Sequence, residues 1–190
     1  GIGSHTQDAT AATGSIKIVD NNAINTYQTA VGKVFVFMIT DGNGKTINIL
    51  LKTSAQQPDP AFSWTDEYEN LTINFVIGDT NQDTTSKLLI AFNSAKTLFS
   101  NTQGASSFNI SAAIDNSDNS KINFTHDISG FASNTRIYVR QVDETDQTKM
   151  IDVSSSIVEV VTSIGGKNAT ARVYRSQAVQ PPQAGVIEKA

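Results

Sequence analysis

The chain has 190 residues, enough for one domain with a buried core and too few for two of comfortable size. Hydrophobic residues make up 38% and charged residues 17%, both low, because Ser, Thr and Asn fill 56 positions. A formal charge of -4 excludes a surface built to grip phosphate backbones, and the lack of cysteine excludes disulfides, thiolate metal sites and cysteine nucleophiles. Nucleic acid is therefore not an expected partner, and no apolar run approaches the roughly 20 residues of a membrane span.

Short segments rich in Val, Ile and Phe alternate with Gly, Asn and Asp clusters, the pattern of an all-β domain. Residues 1–14 are small and polar and predict an N-terminal arm. The start at Gly1 fits either processing after export or a trimmed chain. Ser15–Val19 reads as a strand followed by a turn at Asp20-Asn21-Asn22. Lys33–Ile39 is apolar after its first residue, which predicts a central strand covered on both faces. Ile47–Leu51 follows, then a loop with Pro58 and Pro60, then the alternating strand Leu71–Ile77. Lys87–Phe92 fits either strand or short helix, with Ser94–Phe99 as a helical extension. Phe108–Ala112 and Lys121–Thr125 flank the turn cluster Asp115–Ser120, and Arg136–Arg140 alternates again. Ile157–Val161 and Ala169–Tyr174, on either side of Gly165-Gly166-Lys167-Asn168, form the clearest expected hairpin. Residues 177–190, with Pro181-Pro182, predict a C-terminal arm. The expected architecture is thus all-β, an antiparallel two-sheet sandwich or jelly roll over residues 15–176 with extended arms at both ends.

Several stretches invite a chemical reading. Thr40-Asp41-Gly42-Asn43-Gly44-Lys45-Thr46 ends like a P-loop, but the glycine that loop needs at position 39 is Ile, and the residues after it are strand-forming. A tight turn between strands is the expectation. Asp79, Asn81 and Asp83 match three calcium-loop positions, yet Thr84 and Ile90 stand where such a loop needs Gly and Glu. Asp115 with Asp118 and Asp143 with Asp146 read as solvated turn carboxylates. Trp64-Thr65-Asp66-Glu67-Tyr68-Glu69 sets three acids between two aromatics, so Trp64 and Tyr68 are candidate ligand contacts, glycans included, beside the simpler expectation that Trp64 packs on the core. His5 and His126 are the only histidines; with no GxSxG elbow and no HExxH, His126 reads as a turn residue and no enzyme is expected. No cofactor or metal site is expected either. Asn70, Asn109, Asn123 and Asn168 fit the glycosylation acceptor pattern. Lys17 or Lys87 could form an isopeptide with a nearby Asn or Asp.

Asp8–Ile18, then Val34–Ile39 with Asp41-Gly42-Asn43-Gly44 and Ile47–Leu51, resemble the opening of secreted fibre-forming proteins of the TasA and camelysin kind. There a small-residue segment leads through a Gly-(Thr/Ser)-(Leu/Ile)-x-(Leu/Ile) strand into a long apolar strand ending at an Asn-Gly turn. The match covers residues 8–52, and the family's aromatic-acid pair is missing. The closing hairpin resembles the last strands of type IV pilin-like proteins, whose apolar N-terminal helix is absent here. Both resemblances imply an extracellular filament, and the first implies a donated arm, with Ala9, Ala11, Ile16 and Ile18 as the donor side chains. The expected function is a structural subunit that polymerises with itself, head to tail, by donor-strand augmentation. An adhesin or carbohydrate-binding module, or a virion structural protein, is the alternative.

Overall fold

The computed structural model describes residues 3–30, 32–52, 63–130, 136–143, 151–167 and 170–174, with side chains described except at 3–7, 163–164 and 170–174. The chain is mostly β, with twelve strands and two helices among the described residues. A six-stranded sheet runs β10 (Ile151–Asp152), β9 (Arg136–Asp143), β3 (Lys33–Thr40), β4 (Thr46–Lys52), β6 (Asn70–Val76), β5 (Ser63–Thr65). A four-stranded sheet runs β11 (Val158–Ile164), β2 (Thr13–Ile18), β8 (Lys121–His126), β7 (Ile110–Ile114). Neither closes on itself. A third, two-stranded ribbon pairs β1 (Gly3–Gln7) with β12 (Thr170–Tyr174).

The alternating segments take the sides their pattern dictates. Leu71, Ile73 and Phe75 of β6 are buried, as are Phe35, Phe37 and Ile39 of β3 and Ile122 and Phe124 of β8. β3 lies between β9 and β4, the central place its apolar run requires. The sheet is not wholly antiparallel, however. β4 and β6 run parallel, Thr46 opposite Asn70 through Lys52 opposite Val76. Parallel neighbours need a crossover rather than a tight hairpin, and β5 lies antiparallel on the outer side of β6.

Helix α1 (Asn21–Gln28) replaces the turn expected after β2, and α2 (Asn81–Asn101) replaces the loop of candidate calcium ligands. Asp20 caps α1 by accepting from the Ala23 N–H at 3.0 Å, and Thr80 caps α2 by accepting from Asp83 N–H at 3.0 Å. The two helix starts are hooked together. Asn21 donates from Nδ2 to the Gly78 carbonyl at 2.8 Å and accepts from Thr84, whose hydroxyl also accepts from Gly78 N–H at 2.9 Å. Gly78 is obligatory, since a Cβ there would lie 2.7 Å from Thr84 N.

The two large sheets meet where β9 passes β11, tied by Ile137 N–H donating to Thr162 Oγ1 at 2.9 Å. Further along they are held apart by α2, which packs on β4 and β6 of one sheet and on β2, β7 and β8 of the other. Leu88, Phe92, Ala95 and Phe99 of α2 share one core with Ile16, Ile18, Phe37, Ile49 and Phe124. A wedge of helix between two sheets is what separates this arrangement from the plain sandwich or jelly roll expected.

The expected closing hairpin does not form. β11 pairs with β2 and β12 with β1, and the two strands continue one line. Gly3 faces Tyr174, Gln7 faces Thr170, Thr10 bridges Lys167, and Thr13 faces Ile164; at each step one strand advances by as many residues as the other retreats. The register shifts only between Val161 and Ile164, at a β-bulge. Gly165 and Gly166 therefore interrupt a running ladder instead of turning it. The ribbon is the outward extension of the β2–β11 pair, and the ten residue steps from Thr13 to Gly3 span roughly 33 Å at the usual rise.

Candidate functional site

The most distinctive local geometry lies in the β5–β6 connection. Thr65 pairs with Asn70, so Asp66, Glu67, Tyr68 and Glu69 must reverse the chain in four residues. They do so as a left-handed turn: φ is 53° at Asp66, 55° at Glu67 and 75° at Tyr68. Glu69 N–H donates to the Thr65 and Asp66 carbonyls, both at 3.2 Å. Left-handed backbone costs about 1–2 kcal/mol for each residue bearing a Cβ, and three in succession are exceptional. Asn70 Nδ2 donates to Asp66 Oδ2 at 2.9 Å and steadies the turn from below.

The turn carries the Tyr68 ring back over Trp64, the centroids 5.1 Å apart and the planes at 79°. Trp64 rests in turn on Phe99 of α2, 4.7 Å away and at 86°, which meets the expectation that it packs on the core. The chain past α2 comes alongside at Gly104, whose φ is +91°. A Cβ at Gly104 would sit 3.5 Å from Tyr68 Cε2. Trp64, Thr65, Asp66, Glu67, Tyr68 and Gly104 enclose an open hollow of about 580 Å³. Tyr68 is 37% exposed and Trp64 half-buried. Asp66, Glu67 and Glu69 are exposed, and among the described residues none of them has a cationic partner. Gly104 carried no motif in the sequence, and only its place beyond α2 makes it part of this wall.

The remaining candidates sit elsewhere. Ile16 and Ile18 are fully buried in β2, which is hydrogen-bonded to β11 on one side and β8 on the other. Ala9 and Ala11 are half-buried between the ribbon and β2. Residues 177–190 and Asn168 lie outside the described residues, as does Asp146. Asn70 and Asn123 are half-buried, with their amides on Asp66 and on Asp115 (2.7 Å), and Asn109 is half-buried before β7. Asn81 and Asp83 lie in the first turn of α2 and Asp79 precedes its Thr80 cap, with Asp83 accepting from Asp79 N–H at 3.1 Å. Lys17 meets Asp118 at 3.0 Å and Lys87 meets Asp83 at 4.0 Å, both as half-buried ion pairs. Bonds from Lys17 and from the Ser120 N–H hold the Asp118 carboxyl below its ordinary value, and the same pair raises Lys17. His126 is not a turn residue. It ends β8, 3% exposed, because its position continues the buried alternation of Ile122 and Phe124.

No protein-family model matches the chain, and no curated protein matches it in sequence. Among solved structures it is similar to the D1-D2-D3 domains of the flagellar cap protein FliD from Escherichia coli, with a TM-score of 0.43 and 18% identity, over 90% of this chain and 40% of that one. Against the D2-D3 domains of the same protein the TM-score is again 0.43 and the identity 18%, over 90% of this chain and 70% of that one.

Proposed function

We propose that the protein is a non-enzymatic structural subunit that works outside the cell and polymerises with itself through the edges of its β1–β12 ribbon. The supporting observation is the ribbon itself: among the described residues, neither of its strands hydrogen-bonds a third. An isolated two-stranded ribbon is marginal in water, and its outer edges offer rows of amide and carbonyl groups to another chain. Pairing with a strand elsewhere on a second copy is heterologous, so it propagates into an open filament. The hydroxyl- and amide-rich composition suits an exported chain.

The donated segment in this reading is 3–7 and not β2. Moving Ile16 and Ile18 into a neighbour would strip two ladders and fully buried side chains from the subunit's own core. The test must therefore spare β2. Sedimentation and electron microscopy of the full chain are compared with a chain lacking residues 1–8. The full chain is expected to form species that grow with concentration and the shortened chain to stay monomeric. A full chain that is monomeric at its highest soluble concentration refutes the proposal.

A further inference from the structure

We infer that the Trp64–Tyr68 hollow is a binding site for an alkylammonium group, independent of the assembly reading. Trp64 and Tyr68 both line one open space, and a cation beside the face of such a ring is attracted by its quadrupole. Asp66 and Glu67 add negative charge along the same wall, with no lysine or arginine paired to them among the described residues. Both effects have the same sign, and it favours a positive ligand over a neutral one. A neutral sugar would gain from ring stacking but nothing from the unpaired charge. The backbone places the site at a cost: three left-handed residues bring Tyr68 over Trp64, where an ordinary hairpin turn would have sent the ring outward. Gly104 itself brings no side chain against the Tyr68 ring, where a Cβ would touch at 3.5 Å.

Trp64 is the only tryptophan in the chain, so intrinsic fluorescence reports on this hollow directly. The full chain is titrated with choline, with a lysine amide, with 3,3-dimethylbutanol as the uncharged shape analogue of choline, and with glucose. Choline or the lysine amide, or both, should change the Trp64 emission saturably and less strongly at high salt, and their ratio identifies the source of the ammonium. Tyr68→Asn keeps a residue that tolerates positive φ while removing the ring, and should weaken binding about fivefold. Glu67→Gln, on an exposed side chain, should weaken it about twofold. The inference is overturned if neither ammonium gives a saturable change, if dimethylbutanol or glucose binds as well as choline, or if Tyr68→Asn binds as the native chain does while retaining its native circular dichroism.

Discussion

Asp41 shows how one side chain can settle the meaning of a motif. The residues that end like a P-loop form the β3–β4 turn, because Asp41 accepts from Asn43 N–H at 3.0 Å and Lys45 N–H at 2.9 Å. Its other oxygen accepts from Asn109 N–H at 3.1 Å, fixing the segment before β7 to the same carboxylate, which is 3% exposed. His126 adds a second tie: its Nε2 accepts from Gly42 N–H at 3.0 Å, and its Nδ1 lies 3.1 Å from both the Ile128 N and the Ile128 carbonyl oxygen. Asp41→Ala strands three backbone donors and should cost about 2–4 kcal/mol in urea unfolding, with Asp41→Asn milder because one acceptor oxygen survives. Gln28 is the opposite case. It is fully buried in α1, and neither atom of its amide has a hydrogen-bond partner among the described residues. Gln28→Leu removes that penalty at similar volume and should stabilise the protein by about 1 kcal/mol, read as a higher urea midpoint with an unchanged slope.

At the scale of elements, α2 is fastened to the four-stranded sheet by polar as well as apolar contacts. Lys96 donates to Asp127 at 2.9 Å and to Ser111 Oγ at 3.0 Å, and Ser111 closes the group by donating to Asp127. Burial pushes the Asp127 carboxyl up, but the bonds from Ser111 and Lys96 outweigh it and hold the group below its ordinary 3.8. A depressed carboxylate contributes stability above the unfolded value and loses it as pH falls through the folded one. Lys96→Met should therefore be less stable than the native chain above about pH 5, by no more than about 1 kcal/mol for so exposed a pair, with the gap narrowing below pH 4. Thermal melts across that range check the sign. The strands were legible because their alternation survives in the burial: Leu71, Ile73 and Phe75 read the same in sequence and in space. The helices were not. α1 is rich in Asn and Thr, poor helix formers, and contacts outside its own sequence hold it: the Asn21 hook to Gly78 and Thr84, Ile24 buried in the core and Tyr27 set edge-on against Phe35. In α2 the contiguous apolar run Leu88–Phe92 masks the helical period. Ile90 at 65% exposure shows that the run was never a strand between two covered faces.

The whole molecule depends on how closely its two large sheets approach. Gly14 lies where β2 passes β9, and a Cβ there would fall 2.6 Å from Ile137 Cδ1 and 2.7 Å from the Val161 carbonyl oxygen. Ile137 could swing away but the Val161 backbone could not, so Gly14→Ala should cost about 1–3 kcal/mol by calorimetry and loosen the β9–β11 junction first in hydrogen exchange. Long-range order was the part hidden from the sequence. Gly165-Gly166 between two alternating segments has the composition of a hairpin turn, and nothing local distinguishes it from a break in one long ladder; the partner strand at the far end of the chain decides. The aromatic-acid stretch was visible as residues, but its corner exists only because the backbone at Asp66, Glu67 and Tyr68 turns left-handed.

The in-register pairs from Thr13 out to Gly3 also have a mechanical consequence. Drawing Gly3 and Tyr174 apart loads the outermost rung alone, so the hydrogen bonds give way in sequence, like a zip, at low force. Drawing both together away from the body leaves the rungs between them unsheared and passes the load along the two backbones to β2 and β11, which are anchored in the core. The stem is therefore soft to tension that splits it and stiff to tension that pulls along it.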